Sequence, residues 1–149
     1  MNIAEILPLE AVLPDLQADN RQAVLAELLA PLVSLHPELQ HHNLIETLCE
    51  RERMGSTAVG EGIAIPHGKV PLLDSVLLVV GRSRKGIDFG AQDDEPCHIF
   101  FLILAPEHGA GRHLRLLAQL ARRAKDPVFR SEMLMAEGRE QLRQTVITP

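Results

Sequence analysis

The chain has 149 residues, the length of one domain, and its 46% apolar and 23% charged residues exclude disordered and collagen-like classes. Aromatic residues are 3%, four Phe with neither Tyr nor Trp, and the net charge is −5. Such a chain lacks the stacking platforms and the concentrated basic surface that nucleic-acid binding requires, so no nucleic-acid partner is expected.

The N-terminus, Met1 to Glu5, has no basic leader and is not a secretory signal. Asn20 or Asp19 is placed to cap a first long helix, whose apolar stripe is Val24, Leu25, Leu28, Leu29, Leu32 and Val33. Pro31 lies inside this pattern and is expected to kink or shorten the helix, because its ring opposes the carbonyl of Glu27. Pro37 suits the first turn of a second helix, carrying His41 and His42 and running to about Glu52 with Leu44, Ile45, Leu48 and Cys49 on one side.

Glycines at 55, 60, 62 and 68 then mark loops and tight turns around a short strand, Ile63-Ala64-Ile65. Val76–Val80 and Ile99–Leu104 read as strands buried on both faces, with a short strand at Ile87–Phe89 between them. Both runs are far below the ~20 residues of a membrane helix, so no membrane insertion is expected. After Gly109 and Gly111 a strong helix begins, with an apolar stripe of Leu114, Leu117, Ala118 and Ala121. Arg112, Arg115, Arg122 and Arg123 lie opposite and, with Lys125, form a basic cluster that suits an acidic partner or plain solvent. Asp126-Pro127 ends that helix, and two shorter ones follow near Val128–Met135 and Arg139–Val146. Helices, then strands, then helices give one α/β domain over residues 1–149, with helices on both faces of a sheet. Cys49 and Cys97 form no CxxC pattern and read as reduced thiols of a cytoplasmic protein.

Three places carry candidate chemistry. His67 follows an apolar strand and sits between rigid Pro66 and open Gly68, which removes the side chain beside the imidazole. With an ordinary pKa of about 6.5, a neutral imidazole holds one free lone pair at pH 7, which suits a nucleophile, a base or a metal ligand. A loop histidine with a satisfied hydrogen bond is the competing reading. His113 falls in the first turn of a helix, where free N–H groups and the positive end of the dipole favour an anion. A simple polar cap residue has the same spacing. Arg51, in Arg51-Glu52-Arg53-Met54-Gly55-Ser56-Thr57, offers a donor fork that matches phosphate, against the reading of a solvated helix end. A zinc set of His67, His108, His113 and Cys97 has no supporting motif spacing, and neither a metal nor a cofactor is expected.

Taken together, Arg51-Glu52-x-x-Gly55-Ser56-Thr57 and Gly60-x-Gly62-Ile63-Ala64-Ile65-Pro66-His67-Gly68 resemble the signature of type-2 IIA domains of the bacterial phosphotransferase system, the fructose/mannitol class. His113-Leu114-x-Leu116-Leu117-x-x-Leu120-Ala121 is similar to that family's second histidine motif, and Gly86-Ile87-Asp88-Phe89 to its mid-chain segment. Within the family the chain is most similar to the nitrogen-regulatory branch, with Ala58-Val59 where Gly-Ile is commoner.

The resemblance implies a mixed sheet of about five strands between helices. It also implies that His67 accepts a phosphoryl group, on Nε2, from a phosphohistidine of an HPr-like carrier (NPr). His113 would stabilise the phosphoryl group, Arg51 would offset its charge, and Ser56 would donate a hydrogen bond. The output would be binding of regulatory target proteins, controlled by the phosphorylation state of His67. The alternatives are a sugar-specific IIA component that passes phosphate to a separate IIB, and a binding module whose histidines are structural.

Overall fold

A computed structural model describes residues 2–71, 73–108 and 111–149, with Arg112 described by its backbone alone. The Gly109-Ala110 lead-in to the last long helix, and the Arg112 member of the basic cluster as a side chain, therefore lie outside the described residues.

Six helices and one mixed sheet of six strands make up the described chain. The helices are α1 (Ile3–Ile6), α2 (Arg21–Leu35), α3 (Leu44–Arg53), α4 (Arg112–Ala124), α5 (Pro127–Met135) and α6 (Gly138–Ile147). The strands are β1 (Val12–Leu13), β2 (Ala58–Gly60), β3 (Ile63–Ala64), β4 (His67–Val70), β5 (Leu77–Ile87) and β6 (Cys97–Pro106). None of the described helices is long and apolar enough to cross a membrane.

The sheet is built around β6, which is buried from Ile99 to Ala105. On one side β5 runs antiparallel to it, and β1 adds in parallel beyond β5. On the other side β3 and β4 both run parallel to β6, and β2 returns antiparallel to β3. Residues 63–70 keep one register throughout, with Ile63 opposite Ile99, Ala64 opposite Phe100, His67 opposite Ile103 and Val70 opposite Pro106. The sequence pattern leaves out β1, β2 and β4. His67 opens β4 instead of following the preceding strand.

Alternate residues of β5 show the two covered faces. Gly81 faces α2, where a Cβ would stand 2.7 Å from Leu28 Cδ2. Its neighbour Arg82 faces the other way, reaching the end of α5. Helix α2 is capped by Asn20, whose side chain accepts from the Ala23 N–H at 2.8 Å. It continues through Pro31 to Leu35 instead of stopping. Proline in a helix costs about 3 kcal/mol. Val24, Leu25, Leu28, Leu29 and Leu32 are buried on both sides of it, each contributing about 2 kcal/mol, so packing prevails.

Other elements also shift from the sequence reading. Pro37 opens a 3-10 turn over Pro37–His41, not α3, which starts at Leu44. Ile87 belongs to the end of β5, where it pairs with Cys97 after a register shift. Phe89 lies outside any strand and packs edge-on against Phe100, with ring centroids 5.3 Å apart. In α4 the core-facing residues are Leu116, Leu120 and Ala124, while Leu114 is exposed. The basic cluster is also divided. Arg123 turns inward, lies 4.2 Å above the Phe129 ring and donates to the Val146, Thr145 and Thr148 carbonyls at the end of α6. Arg115, Arg122 and Lys125 remain exposed.

Arg82 is buried at 1% exposure and donates to the carbonyls of Pro14, Met133 and Ala136 at 3.1, 3.0 and 2.6 Å. It closes the end of α5, and burial holds its pKa below the ordinary arginine value. Arg82→Met is expected to leave these carbonyls unpaired and to lower the urea-unfolding free energy by about 3 kcal/mol. Arg84→Met removes only an exposed ion pair to Asp15 and is expected to cost under about 1 kcal/mol.

Candidate functional site

Pro66 has no N–H to give the ladder, yet its carbonyl still accepts from Ile103 at 2.9 Å. The strand therefore passes the proline without leaving its line. Just before it, the Ile65 N–H turns to the other neighbour and donates to the Thr57 carbonyl at 3.0 Å. The Ile65 carbonyl is left to face the imidazole two residues on. His67 Nδ1 lies 2.8 Å from that oxygen. A carbonyl only accepts, so the proton sits on Nδ1 and the neutral ring keeps its lone pair on Nε2.

His67 is half-buried at the wall of an open cavity of about 360 Å³. Arg51, Ser56, Ala58, Val59 and Ile65 line it on one side, and Leu117, Ala118 and Ala121 of α4 on the other. Leu117 and Ala121 of the apolar stripe thus line this cavity while also packing against the core. Arg51 lies among these residues and ties one amino group to the Gly55 carbonyl at 2.8 Å. Gly68 points away from the imidazole. A Cβ there would meet Leu48 Cδ2 at 3.3 Å, so its missing side chain serves the packing of α3 on β4.

Ser56 is in the cavity wall, but its hydroxyl proton is already given to the Phe89 carbonyl at 2.6 Å. Its oxygen in turn accepts from the Ala58 N–H at 3.0 Å. A phosphoryl oxygen would have to displace Phe89 to receive that donor. Glu52, read from the sequence as part of a solvated helix end, is 3% exposed. Its carboxylate accepts from both the N–H and the hydroxyl of Thr57. Arg53, Met54 and Gly55 of this segment are exposed as the sequence reading has it.

His113 occupies the first turn of α4, four residues before Leu117 and hence on the same side of the helix. Its pKa is held below the ordinary histidine value by burial, then by the charges of Lys69 and His67. Lys69, which the sequence reading does not single out, is the charge that acts most on His113. It follows His67 by two positions on β4 and so projects from the same face. Placing the strand before His67 instead of after it conceals that relation.

No group of three or more His, Cys, Asp and Glu side chains is gathered as a metal would need among the described residues. Cys97 is buried, and its thiol is pushed up to about 12 by burial and by Asp93, Asp88 and Glu52. His108 is exposed in the loop before the lead-in to α4.

The depressed His113 pKa has a measurable consequence. Between the ordinary value of about 6.5 and the lower folded value, the unfolded chain binds more protons, so this group makes stability rise with pH through that window. Lys69→Ala is expected to raise the His113 titration midpoint seen by NMR, and His67→Ala to raise it by less. Unchanged midpoints in both variants would separate His113 from β4 electrostatically.

Residues 5–148 match the model of the family described as phosphoenolpyruvate-dependent sugar phosphotransferase system, EIIA 2. A nitrogen regulatory protein of Bradyrhizobium diazoefficiens is 39% identical over 126 residues, covering 85% of this chain and 82% of that protein. A fructose-specific EIIA component of Haloferax volcanii is 32% identical, covering 93% and 90%. The crystal structure of the nitrogen regulatory protein IIA-Ntr from Neisseria meningitidis superposes with a TM-score of 0.88 at 30% identity, covering 97% of this chain and 98% of that one. The chain therefore belongs to the EIIA type 2 family of the phosphotransferase system.

Proposed function

We propose that this chain is a phosphocarrier whose reactive atom is His67 Nε2 and whose output is regulatory. The observation that carries the reading is the bond from His67 Nδ1 to the Ile65 carbonyl, which fixes the tautomer and leaves the Nε2 lone pair at an open cavity. In the transfer, the lone pair attacks the phosphorus of a phosphohistidine on an HPr-like carrier, NPr. A P–N bond forms to Nε2, the donor's P–N bond breaks, and the donor imidazole leaves with the electron pair. The His67 proton stays on Nδ1 throughout. Such transfer depends on in-line placement and charge stabilisation more than on proton movement.

Arg51 supplies a permanent positive charge at the cavity, and Lys69 a second one beside His113. His113 starts out favouring its neutral form, and a phosphoryl group on His67 would reverse that bias by adding negative charge nearby. Its role is to hold the phosphoryl oxygens. The similarity to nitrogen regulatory proteins supports a cytoplasmic output in which target proteins distinguish the two phosphorylation states. The similarity to a fructose-specific component supports the second reading, handing the phosphoryl group to a separate IIB.

Incubation with phosphorylated NPr is expected to give one acid-labile phosphate on the wild type by ³¹P NMR and none on His67→Ala. His113→Ala is expected to fold and accept phosphate about tenfold more slowly. Equal labelling of wild type and His67→Ala would overturn the assignment. Transfer onward to a IIB would select the second reading.

A further inference from the structure

We infer that Glu52 is a positioning residue for His67, acting through Thr57 and Ile65. The inference rests on His67 being the phosphoryl acceptor. Three residues form a continuous hydrogen-bonded path from the end of α3 to the imidazole. Glu52 Oε1 accepts from the Thr57 N–H at 3.0 Å, and Oε2 accepts from the Thr57 hydroxyl at 2.6 Å. The Thr57 carbonyl accepts from the Ile65 N–H at 3.0 Å. The Ile65 carbonyl accepts from His67 Nδ1 at 2.8 Å. The side chains of Glu52, Thr57 and Ile65 are all buried, so the path has little room to shift.

The chemistry of Glu52 agrees with a role beyond packing. A buried carboxylate is costly to desolvate, and an apolar residue of similar size often serves stability as well. Among the described residues no lysine or arginine forms an ion pair with it. Its two oxygens are instead spent on one threonine. Within the turn itself, Gly55 stands at φ 147° with open space beside it, and Met54 is 84% exposed. Arg51 and Ser56 tie the same turn at Gly55 and Phe89, but neither bond leads on to Ile65. With Glu52 removed, Thr57 is free to drift, the Ile65 carbonyl loses its fixed position, and His67 is free to exchange tautomers and rotate.

The test reads the imidazole directly. Ring ¹⁵N shifts of His67 are compared in the wild type, Glu52→Ala, Glu52→Gln and Thr57→Val, alongside the rate of phosphate uptake from phosphorylated NPr. In the wild type the proton is expected on Nδ1. Glu52→Ala and Thr57→Val are expected to mix the two tautomers and slow uptake about tenfold, since small misplacements of a reacting group carry costs of that order. Glu52→Gln, which still accepts from the Thr57 N–H and donates to its hydroxyl, is expected to restore the Nδ1 proton. Thr57→Val keeps side-chain volume and carries the test if Glu52→Ala does not fold. Folded variants with wild-type ¹⁵N shifts and uptake would overturn the inference. If the wild type takes up no phosphate, the function proposed above fails, and the ¹⁵N shifts alone still decide whether Glu52 positions His67.

Discussion

The parallel register between residues 63–70 and β6 is the constraint on which the rest of the molecule depends. It places Ile65 and Pro66 between two hydrogen-bonded segments of one line, at a point where the chain must change neighbours. Proline supplies no donor there, so nothing competes for the position its N–H would occupy. The preceding residue is then free to give its N–H to Thr57 and its carbonyl to His67. A break in a ladder, which elsewhere weakens a sheet, here sets the orientation of one imidazole.

A second theme is the use of arginine as a helix terminator. Arg82, Arg123, Arg130 and Arg143 donate to carbonyls at or just beyond the ends of α5, α6, α4 and α1 respectively. The last turn of a helix leaves carbonyls without partners and carries partial negative charge, so a guanidinium answers both needs. Four of the fifteen lysines and arginines are thereby committed to carbonyls of the fold. Among the described residues, Arg51 lines the His67 cavity and Lys69 follows His67 by two positions on β4.

The buried strands and the long helices were legible because their signals are strong. Ile99–Leu104 is apolar without interruption, and Asn20, one of the two expected caps, accepts from the first turn of α2. β4 was not, because His67-Gly68-Lys69-Val70 has neither apolar alternation nor β-branched residues before its last position. Its pairing with β6 comes from the register set upstream. β1 is two residues long, too short for any period to show. At the site, His67, His113 and Arg51 could be singled out from local context. Glu52 could not, since a charged residue at a helix end is ordinarily solvated, and its burial depends on how the following glycine turn folds back. Leu117 and Ala121 show the converse. Their spacing marks an apolar face correctly, but does not say that the face packs against the core and also lines the His67 cavity.

The acceptor for His67 Nδ1 is a main-chain oxygen, where many enzymes use an aspartate or glutamate for the same purpose. A peptide carbonyl neither gains nor loses a proton in water at any physiological acidity. It also belongs to every amino acid alike, so changes in the side chain at position 65 leave the acceptor atom in existence. The acceptor itself is thus written into the backbone, where acidity cannot remove it, while side chains such as Glu52 and Thr57 act on how steadily it is held.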